Sequence, residues 1–300
     1  MTDKLQRFYF SNHPIRGAAV QLSRSYAETL EDRNYPDIVK QLLAQALAAT
    51  TLLASNLKND ARISLQAQGD TCISLLMAEC DSRTPNSERT LSLRAVARYE
   101  AVENSDTATT ASRSLAGLLG DARLAITIEP ENGQRYQGIV TLRHTELSAC
   151  LQDYFEQSEQ LPTQILLFAD EQRAGGLLLQ QMPEETGEFE GENRGKWEEL
   201  TALAATITTG EVLGLEIGEW LHRLFHQQAL AGVTEIPVRF GCSCSRQRTL
   251  ETILRLDPEW ARNTLEQDSE ITVDCEFCST RYRFERGDLD KAQAPPGRQH

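Results

Sequence analysis

No run of apolar residues in this sequence approaches the roughly 18 that a helix needs to cross a membrane. Met1-Thr-Asp-Lys-Leu-Gln-Arg7 has no apolar signal core behind its charges, which argues against an oxidising compartment. Positive charge is also scarce. Thirty Lys and Arg face 44 Asp and Glu, a formal net charge of -14. Nonspecific binding to nucleic acid phosphate or to anionic membrane depends on cations that displace counterions, so no nucleic acid and no membrane partner is expected. A phosphate-binding glycine loop with its lysine is missing, and so is a nucleophile elbow. His222-Arg-Leu-Phe-His226 has the spacing with which zinc proteases hold their metal. Arg223 stands where the general base belongs, so these are two helix histidines, and no enzyme is expected.

What is present is concentrated near the C-terminus. Four of the seven cysteines lie in Phe240-Gly-Cys-Ser-Cys244 and Asp274-Cys-Glu-Phe-Cys278. The spacing is C-x-C, thirty residues, then C-x-x-C. It lets two knuckles converge so that four sulfurs occupy the corners of a tetrahedron. One structural Zn2+ held by Cys242, Cys244, Cys275 and Cys278 is the expectation, since four thiolates leave no open catalytic position. Structural disulfides would need the oxidising compartment, and a thioredoxin-like C-x-x-C would sit beside a strand-helix unit of a parallel sheet. Cys72, Cys80 and Cys150 have largely apolar neighbours and no metal spacing, so they are expected to be buried structural thiols.

The rest predicts an α+β protein: an antiparallel-sheet core domain with packed helices (1–183), a helical linker (184–236) and a small C-terminal zinc-binding domain (237–300). In the core, strands are expected over 5–10, 15–22, 63–68, 72–78, 91–99, 124–128 and 136–142. Ile38, Leu42, Leu43, Ala46, Leu47 and Leu53 form one stripe of a helix that begins near Asp37, after Pro36. Pro130-Glu-Asn-Gly133 reads as a hairpin turn, Thr145 as the cap of a helix to Glu156, and Ala174-Gly-Gly176 as the turn between strands 165–168 and 177–181.

At Pro183 the composition changes. Residues 184–236 hold eleven acidic and three basic residues, a net of -8. Residues 184–195 read as a mobile polar loop. Trp197, Leu200, Leu203 and Ile207 then repeat at helical spacing, as do Trp220, Leu221, Leu224 and Phe225. These are short amphipathic helices broken by Gly210, Gly214 and Gly218, and helices so short persist only by packing on another surface. A plain interdomain connection is the other reading. The last domain carries ten basic and eleven acidic residues and lacks the positive field of a nucleic-acid-binding zinc ribbon. Helices over 249–256 and 259–265 and a hairpin of 271–273 with 282–284 contribute too little apolar surface for a module of about 60 residues to be stable without its metal.

This order of parts resembles the heat-shock protein 33 family of bacterial chaperones. The match is strongest in Cys242-Ser-Cys244-Ser-Arg and Cys275-Glu-Phe-Cys278. It extends through Arg135-Tyr-Gln-Gly138, Asp153-Tyr-Phe155, Ser158-Glu-Gln-Leu-Pro162, Gly175-Gly176 and Met182-Pro183, and is weakest over 187–195. The resemblance implies a cytoplasmic, ATP-independent holdase of the oxidative stress response, inactive while reduced and zinc-bound. It implies that oxidation forms the disulfides Cys242–Cys244 and Cys275–Cys278, releases zinc, and exposes a surface that binds unfolding client proteins. It implies a homodimer of the oxidised form as well. Trp197, Leu200, Leu203, Trp220, Leu224 and Phe225 are the candidate client-binding residues. The rival readings are a constitutive zinc-ribbon protein that recruits a partner with its metal permanently bound, and a disulfide oxidoreductase that turns over a dithiol.

Overall fold

A computed structural model describes residues 2–57, 59–83, 89–100, 114–183 and 190–293. The chain divides into two compact units, Met1–Gly241 and Cys242–His300. The first runs β1 (Lys4–Phe10), β2 (Ile15–Leu22), α1 (Arg24–Leu30), α2 (Asp37–Ala54), β3 (Ala61–Gln68), β4 (Ile73–Asp81), β5 (Leu91–Tyr99), α3 (Leu115–Leu119), β6 (Arg123–Pro130) and β7 (Tyr136–Thr141). It continues with α4 (Leu147–Tyr154) and a π-helical turn Phe155–Glu159, then β8 (Thr163–Ala169), β9 (Ala174–Gln181), α5 (Glu190–Ala204), α6 (Thr209–Gly214), α7 (Ile217–Phe225) and β10 (Leu230–Phe240). Its strands form one ten-stranded sheet in the order β7-β6-β3-β4-β5-β10-β1-β2-β9-β8. Among the described strands the one parallel pairing is β10 with β5.

Strand alternation assigns each side chain to a core. From β2 and β9, Ala18, Val20, Leu22, Ala174 and Leu178 face α2, whose Leu43, Leu47 and Leu52 are fully buried against them. Ile15, Ala19, Leu177 and Leu179 point the other way, with Phe8 and Phe10 of β1, into a second cluster covered by α5, α6 and α7. The first five strands of this sheet order share the α2 core; the face of β1, β2 and β9 is roofed by the acidic helices. Asp3, buried before β1, accepts from the backbone N–H groups of Ser23, Arg24 and Ser25, and so caps α1 from a neighbouring strand.

Several expectations are corrected. Residues 230–236 belong to β10, not to a helical linker, and this strand runs through the boundary expected at 236/237, so that the division falls after Gly241. Its first half pairs with β1, Lys4 opposite Pro237 to Phe10 opposite Leu230, and its last three residues pair with Leu91, Ser92 and Leu93 of β5. Of the expected loop 184–195, residues 190–195 are helical in α5, and 184–189 lie outside the described residues. Gly210 and Gly218 lie inside α6 and α7, so of the three expected breaks only Gly214 ends a helix. Thr145 caps nothing: α4 starts after Glu146 without a side-chain cap. The turn before β9 is Asp170–Arg173, where the Asp170 carboxylate accepts from the N–H of Gln172 and Arg173. Gly175 and Gly176 are strand residues. A Cβ at Gly175 would lie 2.8 Å from Val212 Cγ1, and one at Gly176 2.9 Å from Leu52 Cδ1, so the pair allows close packing on both faces.

The second unit comprises α8 (Arg246–Leu256), α9 (Pro258–Gln267), β11 (Ile271–Asp274), β12 (Arg281–Phe284) and α10 (Arg286–Gln293). Ser245 caps α8, and Asp257 caps α9 ahead of Pro258. Among the described residues its core is Leu250, Ile253, Ala261, Ile271, Phe284 and Leu289.

Candidate metal centre

Two local structures present the four sulfurs. Cys242 and Cys244 occupy the extended segment before α8, which Arg248 braces by donating from Nη1 to Ser243 O at 2.7 Å. Cys275 and Cys278 sit in the turn of the β11–β12 hairpin, whose register runs from Ile271 opposite Phe284 to Asp274 opposite Arg281. That turn is closed by Cys275 N–H to Thr280 O, 2.9 Å, and Ser279 N–H to Cys275 O, 2.8 Å, with Ser279 in the left-handed region at φ 55°. At its base Arg281 clamps Asp274 with two bonds of 2.8 Å.

The sulfurs converge. Cys242 Sγ is 3.7 Å from Cys275 Sγ, Cys244 Sγ is 3.4 Å from Cys278 Sγ, and all four lie within 4.8 Å of one another. A tetrahedron with zinc–thiolate bonds of about 2.3 Å has edges of about 3.8 Å, so the donor set fits a closed four-sulfur metal site. None of the seven cysteines forms a disulfide.

Burial and hydrogen bonding shift three of these thiols. Burial raises Cys244 to about 12 against the hydrogen bond from Tyr282, and burial raises Cys275 as well. Cys278 is lowered to about 7: its burial, the largest single influence, is outweighed by the Thr280 hydroxyl and N–H and by the neighbouring thiols. A cation bound among these sulfurs would favour their thiolate form.

The structure brings none of the other cysteines to this centre. Cys80 and Cys150 are fully buried and Cys72 packs against the α2 core, with burial raising the Cys80 and Cys150 thiols. The six candidate client-binding residues all belong to the second cluster of the first unit. Leu200, Trp220 and Phe225 are at most 2 % exposed, and Trp197, Leu203 and Leu224 pack partly buried beside them. The Phe225 ring stands edge-on to Phe10 at a centroid distance of 5.2 Å and an interplanar angle of 90°.

Residues that the sequence did not single out hold these helices down. The Gln21 side-chain amide donates to Val212 O and, at 2.6 Å, to Leu215 O. Arg173 Nη1 donates to Leu213 O at 2.6 Å, and Gln164 Nε2 to Thr201 O at 3.1 Å. No local pattern marks such long-range donors. The same interface buries Gln21 Oε1, Gln164 Oε1 and Trp220 Nε1 without a hydrogen-bond partner among the described residues.

The quoted motifs of the first unit meet elsewhere. The Tyr136 and Tyr154 hydroxyls lie 3.1 and 2.8 Å from Glu159 Oε1, across the π-helical turn. Gly138 leaves room for the Tyr154 ring, because a Cβ there would lie 2.2 Å from the hydroxyl oxygen. These motifs join α4 to the β6–β7 hairpin.

An α+β unit with helices roofing one sheet face, together with a unit whose four cysteines cluster within metal-binding distance, defines a two-part protein. The model of the Hsp33 protein family matches residues 3–285. The chain therefore belongs to the Hsp33 family. It is 42% identical over 297 residues to the 33 kDa chaperonin of Pseudomonas fluorescens, with 99% of this chain and 95% of that one covered. It is 44% identical over 291 residues to the 33 kDa chaperonin of Hahella chejuensis, with 96% of each covered. The crystal structure of the Thermotoga maritima 33 kDa chaperonin matches with a TM-score of 0.77 at 20% identity, over 96% of this chain and 97% of that one, a likeness of fold. Among the described residues no helix is long and apolar enough to cross a membrane.

Proposed function

We propose that the chain is a cytoplasmic, redox-regulated chaperone that holds unfolding proteins without ATP, silent while reduced and metal-bound. The observation that carries this reading is the convergence of Cys242, Cys244, Cys275 and Cys278, whose sulfurs all lie within 4.8 Å of one another. Bound Zn2+ would hold the four sulfurs as thiolates, the form that attacks oxidants. In each pair one thiolate attacks a peroxide oxygen, giving a sulfenic acid as the O–O bond breaks and hydroxide leaves. The partner thiolate then displaces hydroxide from that sulfur and closes the disulfide. Each pair gives up two electrons and each peroxide takes two. Cys242–Cys244 and Cys275–Cys278 are the short-range products, and they leave no thiolate ligands at the centre.

The second unit buries only a small core, so it depends on the metal, whose binding supplies on the order of 10 kcal/mol of folding free energy. On activation, Trp197, Leu200, Leu203, Trp220, Leu224 and Phe225 leave the sheet face and, with Phe8 and Phe10 beneath them, offer apolar surface to a client. The acidic residues of this segment keep the open form soluble. In the oxidised form two copies associate.

The test is metal content and suppression of client aggregation before and after peroxide treatment, with mass mapping of the disulfides. One zinc per reduced chain, zinc release on oxidation, and suppression by the oxidised form alone are expected. Equal suppression by both forms favours the constitutive ribbon reading, and turnover of a dithiol favours the oxidoreductase.

A further inference from the structure

The hydroxyls of Thr280 and Tyr282 reach sulfurs of the centre. Thr280 Oγ1, on the C-x-x-C turn itself, is 3.2 Å from Cys278 Sγ and lies at the surface. Tyr282 is different in kind. It stands on β12, the strand that leaves the Cys275–Cys278 turn, yet its hydroxyl donates to Cys244 Sγ of the opposite pair at 3.1 Å. Its ring is partly buried against the small core that contains Leu250, Ile253 and Phe284, so packing aims the hydroxyl.

We propose that Tyr282 is a positioning residue for the thiol switch: its hydrogen bond to the Cys244 thiolate tightens metal retention and slows oxidation of that sulfur. The inference rests on the proposed function and deepens it. A hydroxyl donor draws negative charge from a thiolate, which lowers the electron density available for attack on a peroxide. It also fixes the direction of the sulfur lone pairs. Hydrogen bonds behind metal ligands are worth roughly 10- to 100-fold in affinity. Because Tyr282 comes from one half of the site and Cys244 from the other, the bond ties the two pairs together. Oxidation at Cys242–Cys244 removes the acceptor from the hairpin's own side chain.

The test compares full-length reduced wild type with Tyr282→Phe, which keeps the ring and its packing and deletes the donor. Three quantities are read: zinc affinity by chelator competition, the thiolate-to-metal charge-transfer band of the Co2+-loaded protein, and the rate of zinc release in excess hydrogen peroxide. Tyr282→Phe is expected to bind zinc about tenfold more weakly, to move the charge-transfer band to longer wavelength, and to release zinc several-fold faster. Thr280→Val is expected to change all three less. A Tyr282→Phe protein that matches wild type in affinity, band position and release rate overturns the proposal while leaving the metal centre intact. A variant whose second unit is unfolded even with metal present marks Tyr282 as a packing residue and overturns it too. A wild-type chain that binds no metal overturns the proposed function and this inference with it.

Discussion

Replacing Phe225 by Ala isolates the attachment of the acidic helices to the sheet. The residue is 2 % exposed, edge-on to Phe10 and 6.5 Å from Phe8. Truncating a buried Phe to Ala costs about 3–5 kcal/mol, from lost burial and the cavity left behind. Phe225 belongs to the cluster on the outer face of β1, β2 and β9, separate from the one beneath α2. The loss therefore falls on the docking of α5–α7 and leaves β3–β6 supported. At about 1.4 kcal/mol per factor of ten, the undocked population rises by roughly two to three and a half powers of ten. Hydrogen exchange on the reduced, metal-loaded protein should show amides of α6 and α7 exchanging about 100- to 3000-fold faster, with α2 and β3 unchanged. The same protein should suppress client aggregation without oxidant. An equal loss of protection in α2 and β3 would refute the reasoning, because the two clusters would then be one cooperative unit; unchanged protection in α7 would refute it from the other side.

Gln21→Leu removes the donor to Val212 O and Leu215 O, leaves those carbonyls unpaired, and should speed exchange in α6 and α7 about tenfold, since an unsatisfied buried group costs about 1–3 kcal/mol. Gly175→Val forces a side chain against Val212 and should cost about 1–3 kcal/mol, read as a fall in Tm of several degrees; an unchanged Tm would show that the close packing at this strand is not tight. Chelating the metal from the reduced protein should abolish the far-UV helical signal of α8 and α9 and spare the sheet, and a retained signal would show that the second unit stands on its own core. Cys244→Ser should lose the metal, whereas Cys72→Ser, Cys80→Ser and Cys150→Ser should retain it by direct metal analysis.

The clustering of the four cysteines was readable because its signal is local: sulfur pairs at fixed spacing converge whatever holds the rest of the chain. Strands with visible alternation, such as Leu91–Tyr99, were readable for the same reason. Strand β10 was not. Its residues Leu230–Phe240 include Gly232 and Pro237, most of its side chains are exposed, and its two partners lie more than 130 residues away in sequence, in β1 and β5. Pairing fixes such a strand, and no periodicity reports it. Gly175-Gly176 misled in the opposite sense, because glycine signals a turn locally but here admits Val212 on one face and Leu52 on the other. Gln21 and Tyr282 could not be found from spacing, since their hydrogen bonds reach residues distant in the chain.

The position of β10 constrains how a thiol switch reaches the helices. In chain order the strand lies between α7 and Cys242, and it joins two half-sheets, with three residue pairs to β5 and six to β1. Gly241 N–H is itself bonded to Leu93 O at 2.9 Å, so the residue before the first cysteine is held in the sheet. If the second unit loses a metal as proposed, loosening that travels along the backbone must strip the β5 pairs before it reaches β1. The helices upstream need no such step. Their interface with the sheet leaves Gln21 Oε1, Gln164 Oε1 and Trp220 Nε1 buried without partners, and each such group weakens docking by about 1–3 kcal/mol. Local opening begins where stability is lowest, which places it at α5–α7 and not at the paired strand. A form in which these helices exchange freely while the amides of Arg7 and Phe240 stay protected would show that the sheet remains whole beneath the exposed face. Loss of protection at Phe240 ahead of α7 would instead show that the β5–β10 seam opens first and that the signal runs through the strand.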